Sequence, residues 1–143
     1  MKTRTLLVLA VAALAGCDTL VTKEEMSGVN YGPRPERWKQ EIASYLKLRV
    51  PDPQAVIIDF RNEPKQTFQK ETVVRAPQWG WAACVFVNEN SPRGFKGTYP
   101  MSFFIRDEKI VHVNGGPDDS NPVGAQYARE HCDRLGSPFI RMN

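Results

Sequence analysis

The sequence predicts an α+β domain in which an antiparallel sheet of four or five strands is packed by two helices and linked by one disulfide. Three observations predict it. Apolar residues alternate with other residues through consecutive segments between residues 55 and 114, as strands require. One segment before this part has a helical period, and one after it has the start and stop signals of a helix. A pair of cysteines connects the two regions.

The first helix is predicted after Pro35, which suits the first helical turn. Large apolar residues follow at i, i+4, i+7 and i+8, which places them on one stripe of a helix: Trp38, Ile42, Tyr45 and Leu46. The prolines at 51 and 53 end it. At this spacing, core packing is the expected role of the aromatic residues.

The first strands are predicted at residues 55–61, where the period changes to two, and at residues 71–75. Residues 79–88 form a longer strand that is apolar on both faces. Such a strand is expected at the centre of a sheet that is covered on both sides.

Two further strands, at residues 98–106 and 109–114, complete an antiparallel meander. The second helix is predicted from residue 120 or 121 to about 135. Asn121 and Pro122 supply its cap and first turn, and Gly136 ends it.

Residues 1–16 have the anatomy of a secretory signal: a basic start, a short apolar run and small residues before Cys17. The run Leu14-Ala15-Gly16-Cys17 resembles the lipobox of bacterial lipoproteins. This resemblance implies that the Cys17 thiol carries a diacylglyceryl group, that the signal is cleaved before it, and that the new amino terminus is acylated, as with palmitate. An ordinary cleaved signal is the alternative. Asp18 resembles the inner-membrane retention signal of enteric bacteria. That signal differs among bacteria, so both the inner and the outer membrane are kept as predicted locations.

Removal of the signal leaves residues 17–143, divided into a polar tether at 17–34 and one globular domain at 35–143. The net charge falls from +3 to +1, because the signal contains Lys2 and Arg4. Since no basic run remains, nucleic acid is not an expected partner, and membrane attachment is expected through lipidated Cys17.

Besides Cys17, the chain has two cysteines, Cys84 and Cys132. The signal sends them to an oxidising compartment, where they are expected to form a disulfide. The chain-entropy model gives it about 3 to 4 kcal/mol of stabilisation. A metal site with His131 or His112 is the alternative, but the paired spacing of a zinc site is absent. We expect no metal and no cofactor.

The segment from Cys84 through the turn-rich residues 89–97 to Phe103 resembles small uncharacterised bacterial envelope and phage-borne proteins. That resemblance implies a small α+β domain and no activity. The candidate ligand or partner-binding residues lie on the central strand and the following loop: Trp79, Trp81, Asn88, Asn90, Arg93 and Phe95. Trp79 and Trp81 share a strand face and form either an aromatic platform or core packing.

No nucleophile elbow, zinc-protease helix or phosphate loop occurs, so we expect no catalytic residues and no enzyme. His112 beside Asp107 or Asp118 is the one acid–base hypothesis. Residues 118–121 could ligate calcium or serve as a turn and helix cap. The expected function is a lipid-anchored, periplasm-facing binding or assembly module with an envelope protein as partner. The alternative is a ligand-binding or enzyme-inhibitor lipoprotein that recognises a glycan, a peptide or a periplasmic enzyme.

Overall fold

The computed structural model describes residues 21–73, 75–90, 96–117 and 121–140. It is an α+β domain with an antiparallel five-stranded sheet, as predicted. The strands are β1 (Ile57–Phe60), β2 (Lys65–Gln69), β3 (Gln78–Asn90), β4 (Lys96–Arg106) and β5 (Lys109–Gly115). The helices in the described part are α1 (Lys23–Ser27), α2 (Trp38–Lys47) and α3 (Pro122–Arg134). The predicted signal at 1–16 and Cys17 lie outside the described residues.

The long strand β3 is the centre of the sheet, as its apolar faces predicted. β4 pairs with it on one side, and β5 pairs with β4. On the other side, β1 and β2 lie end to end along the same edge of β3. Between them the chain leaves the ladder, and the Asn62 side chain accepts a hydrogen bond from the Cys84 amide at 2.7 Å. The sheet therefore keeps its central strand bonded through the break in its edge.

A helix covers each face of the sheet, so the domain has two cores. On one face, α2 packs its buried side chains on alternate residues of β3 and β4, in a cluster that includes Trp38, Ile42, Leu46, Val85, Met101 and Phe103. On the other face, α3 lies over a smaller cluster that includes Ala82, Cys84, Phe104, Cys132 and Leu135. The alternation of β3 between these two cores explains why neither of its faces is polar.

The predicted disulfide is present and joins β3 to α3. The Sγ atoms of Cys84 and Cys132 are 2.01 Å apart, and their Cα atoms are 5.2 Å apart. Both residues are completely buried. The bond therefore fixes the second helix on the sheet, as the sequence predicted, and neither cysteine is a metal ligand or a free thiol.

The predicted strand at residues 71–75 is wrong. The strand lies earlier, at β2, and residues 72 and 75 form only an isolated bridge, with the Val73 side chain fully exposed. The reason is that β2 is an edge strand with mostly polar residues, and its single large apolar side chain, Phe68, stacks on Trp79. An edge strand of this kind has little alternation to detect.

The part of the predicted tether that the structure describes is folded against the domain. Helix α1 begins with a capping box, in which Thr22 and Glu25 each accept a hydrogen bond from the other's backbone amide. The Tyr31 side chain that follows is buried. These residues add a third helix to the two that were predicted, and the folded region starts earlier than residue 35.

The start of α2 is held by the β4–β5 turn. Asp107 and Glu108 both have positive φ angles, 51° and 60°, and the Glu108 carboxylate accepts hydrogen bonds from the amides of Glu36 (2.7 Å) and Arg37 (3.1 Å). These two bonds hold the pKa of Glu108 below its usual range. The turn thereby supplies the cap that the helix sequence lacks, since Arg37 has no side-chain cap of its own.

Candidate functional site

The two tryptophans proposed as a binding platform are used to hold the amino-terminal segment. The indole N–H of Trp79 donates to the Asn30 carbonyl oxygen at 3.2 Å, and that of Trp81 donates to the Gly32 carbonyl oxygen at 3.1 Å. Phe68 stacks on Trp79, with its ring centroid 6.4 Å away, and the Arg106 guanidinium lies 4.5 Å from the Trp79 ring. Both side chains are partly buried in these contacts. Of the two predicted roles, an aromatic platform or packing, these contacts favour packing.

The remaining candidate residues do not form a site with the tryptophans. Asn88 and Asn90 lie at the far end of β3, where they pair with Thr98 and Lys96 of β4. Arg93 and Phe95 lie outside the described residues, as do residues 118–120 of the proposed calcium loop. Asn121 accepts a hydrogen bond from the Gly124 amide at 2.9 Å, so its role is the predicted helix cap.

A groove lies beside α3 in the described part of the chain, and we call it the α3 groove. It has a volume of about 630 Å³ and lies between α3 and the chain that follows β2. Its walls include Gln69, Thr72, Arg75, Tyr127, His131 and Arg134. Cavities of about 300 to 1,000 Å³ are the usual size of small-molecule sites, so this groove is the candidate functional site.

Arg75 is the most constrained charged residue of the α3 groove. Its guanidinium lies 4.4 Å from the Tyr127 ring centroid, in cation–π contact. When the Gln69 amide is oriented with its oxygen toward Arg75, this oxygen accepts hydrogen bonds from Arg75 Nη1, at 2.9 Å, and from Arg75 Nη2. Its buried Nε has no hydrogen-bond partner among the described residues. Arg75 is thus held in place at the groove by Tyr127 and Gln69.

A buried polar network lies beneath the α3 groove, between the sheet and α3. Ser102 Oγ is 3.3 Å from His131 Nδ1 and 3.2 Å from Asn114 Nδ2. The Asn114 amide also lies 3.1 Å from Gln69 and 3.0 Å from His112 Nε2. Ser102, Asn114, His112 and His131 each have a side-chain partner within this layer, so it is compatible with a folded core.

The two histidines of this network are held neutral. Burial, together with the positive charges of Arg134 and Arg75, lowers the pKa of His131 to about 3. Burial also lowers the pKa of His112, whose Nε2 atom lies 3.0 Å from the Asn114 amide oxygen. Asp118 of the acid–base hypothesis lies outside the described residues. Ser102 is completely buried, so its hydroxyl cannot meet a substrate in the α3 groove. The network therefore has the geometry of a structural layer.

The low pKa of His131 predicts a pH-dependent stability. Between the folded value of about 3 and the unfolded value near 6.5, the unfolded chain binds a proton that the folded chain does not. The free energy of unfolding should therefore fall by about 1 kcal/mol between about pH 7 and pH 5.5, a range above most carboxylate titrations. Urea unfolding at several pH values measures it. His131→Gln should flatten this dependence, and an unchanged dependence would show that His131 is not buried as described.

The α3 groove was not predicted from the sequence, for one reason. The strand was placed over residues 71–75, so the turn that carries Arg75 was not seen to approach α3. One signal was present, because Tyr127, His131 and Arg134 recur at i, i+4 and i+7 and so share one face of the predicted helix. A polar and aromatic stripe on a helix that should pack on a sheet was the feature to follow.

No family model, no curated protein and no solved structure matches this chain. Within the described ranges, no helix is both long enough and apolar enough to cross a membrane. The same part of the chain contains no group of three His, Cys, Asp or Glu side chains placed to hold a metal ion. The fold and the α3 groove are therefore the structural basis for a functional proposal.

Proposed function

We propose that this protein is a lipid-anchored bacterial envelope protein that faces the periplasm and whose α+β domain is a binding module. The single observation that carries the proposal is the sequence of residues 1–17, a signal-like segment that ends in a lipobox-like cysteine. The Cys84–Cys132 disulfide supports it, because disulfides persist in oxidising compartments such as the periplasm.

The folded amino-terminal segment limits the distance between the domain and a membrane that holds Cys17. The capping residue of α1 is Thr22, five residues after Cys17, and five residues span at most about 18 Å. A lipid on Cys17 would hold the domain close to the bilayer with little reach. The Glu25 carboxylate lies 3.4 Å from Lys70 Nζ, and Lys70 lines the α3 groove. The groove is therefore beside the anchored end of the domain.

The α3 groove favours recognition of a ligand over assembly through a sheet edge. A concave site of about 630 Å³ with charged and aromatic walls is suited to a small molecule or a short segment of a larger one. The tryptophan pair, which would have offered a flat surface to a glycan, is partly buried and hydrogen-bonded to the backbone of Asn30 and Gly32. An envelope protein as partner and inhibition of a periplasmic enzyme are the two forms of this function that involve a macromolecule.

Cys17→Ser tests the anchor. The variant should lose the lipid and accumulate as the larger precursor that retains residues 1–16, because its serine has no thiol to modify. Membrane fractionation with immunoblotting measures the difference. Cys84→Ser/Cys132→Ser is the matched control, since it removes two thiols elsewhere and should still fractionate with membranes. Equal chain size and equal fractionation of Cys17→Ser and the unchanged protein would rule the anchor out.

A further inference from the structure

The α3 groove presents charges of both signs. Its basic residues are Lys70, Arg75 and Arg134, and its acidic residues are Glu71 and Glu130. The positive charges act inside the groove, because Arg75 and Arg134 both lower the pKa of His131 on its inner wall. A ligand with one charge sign would meet repulsion from part of this lining, whereas a ligand with both signs would not.

Arg75, on the wall formed by the chain that follows β2, suits a carboxylate. Arg75 is fixed by the Tyr127 ring and the Gln69 amide, so little side-chain entropy is lost when it binds a ligand. Guanidinium groups match the planar geometry of carboxylates. Arg134 lies on the other wall of the groove, on the exposed side of α3.

Glu130, on the α3 wall of the groove, suits an ammonium group. The Glu130 carboxylate, one α3 residue before His131, accepts a hydrogen bond from Gln126 Nε2 at 3.1 Å and keeps other lone pairs for a ligand. Glu71 on the opposite wall adds a second negative charge. Two carboxylates beside the arginines disfavour a multiply charged anion such as a phosphate, since like charges repel.

We propose that the α3 groove binds short peptides with free termini, with the peptide carboxylate on Arg75 and the peptide ammonium group toward Glu130. The inference rests on the binding role proposed above and names its ligand class. The volume of about 630 Å³ exceeds that of a single amino acid and accommodates a few residues. The methylene groups and the Tyr127 ring along the walls offer apolar contact to small side chains.

Three related probes separate the contributions of the two termini. Trialanine carries both charges, trialanine amide lacks the carboxylate, and N-acetyl-trialanine lacks the ammonium group. Calorimetric titration into the lipidated full-length protein in phosphatidylcholine nanodiscs should give the tightest binding for trialanine. Trialanine amide should bind about tenfold more weakly, because it loses a charge-assisted contact with a held guanidinium. N-acetyl-trialanine should also bind more weakly, by a smaller factor.

Variants assign each effect to one residue. Arg75→Gln should weaken trialanine to the affinity of trialanine amide and leave the amide unchanged, and Glu130→Gln should do the same for N-acetyl-trialanine. Lys47→Gln, an exposed charge change on α2 at the opposite face, is the matched control and should change nothing. Because Arg75 contacts Gln69 and Tyr127, near-UV circular dichroism must show that the variant is folded. If it is not, Glu130→Gln and the three probes still decide the matter.

Equal binding of all three peptides, or no binding of trialanine at about 10 mM, would overturn the inference. Neither outcome bears on the anchor, which Cys17→Ser tests by fractionation. Conversely, peptide binding by a protein that fails the fractionation test would leave this site in place and remove only the membrane part of the proposal.

Discussion

The double variant Cys84→Ala/Cys132→Ala should lose about 3 to 4 kcal/mol of unfolding free energy, because the disulfide closes a loop with a sequence separation of 48 residues. The disulfide lowers the conformational entropy of the unfolded chain. Removing it raises that entropy and so stabilises the unfolded state relative to the folded state. The destabilisation should be largest at α3, because the bond joins this helix directly to β3. Chemical denaturation followed by circular dichroism measures the change.

Reduction provides an internal control for this prediction. Dithiothreitol should destabilise the unchanged protein by a similar amount and leave the double variant unaffected. If the double variant and the unchanged protein unfold at the same denaturant concentration without reductant, the bond does not stabilise the fold as we describe.

Phe103→Ala should cost about 3 to 5 kcal/mol, the usual range for truncating a completely buried phenylalanine. Phe103 lies on the α2 face of β4, and its ring meets Tyr45 of α2 edge-on at a centroid distance of 5.4 Å. Truncation leaves a cavity between helix and sheet that rigid strands cannot close. Denaturant unfolding measures the loss.

The matched control is Phe68→Ala, which removes the same atoms from the partly exposed edge strand β2. Its cost should be smaller by at least about 1 kcal/mol, because less surface is returned to water and solvent fills the space. Equal losses for the two variants would mean that the α2 face is not the principal core.

The periodic elements were predictable from the sequence, because burial on one or both faces leaves a pattern. Alternation located β3, β4 and β5, and helical spacing together with capping residues located α2 and α3. The disulfide followed from a signal-like start and two remaining cysteines, with no need for geometry. In each case one local feature, such as Trp38 with Ile42 or Asn121 with Pro122, was enough.

The missed elements depend on contacts between distant residues. β2 is a strand because β3 offers it an edge, and its own residues favour no face. α1 is held by Lys70, and residues 30–32 are held by the indole groups of Trp79 and Trp81, which the sequence suggested as a platform. The α3 groove needs Arg75 to meet Tyr127 across 52 positions of sequence. No local sequence pattern predicts the contact between Arg75 and Tyr127, because the two residues meet only after the sheet has formed.

The central claim, a lipid-anchored binding module, is tested most directly by intact-mass and peptide mass spectrometry of the protein extracted from bacterial membranes. We predict a mature chain that starts at Cys17 and carries a diacylglyceryl group on its thiol, with residues 1–16 absent. An unmodified Cys17 thiol, whether in a chain that retains residues 1–16 or in one cleaved at another position, would contradict the claim.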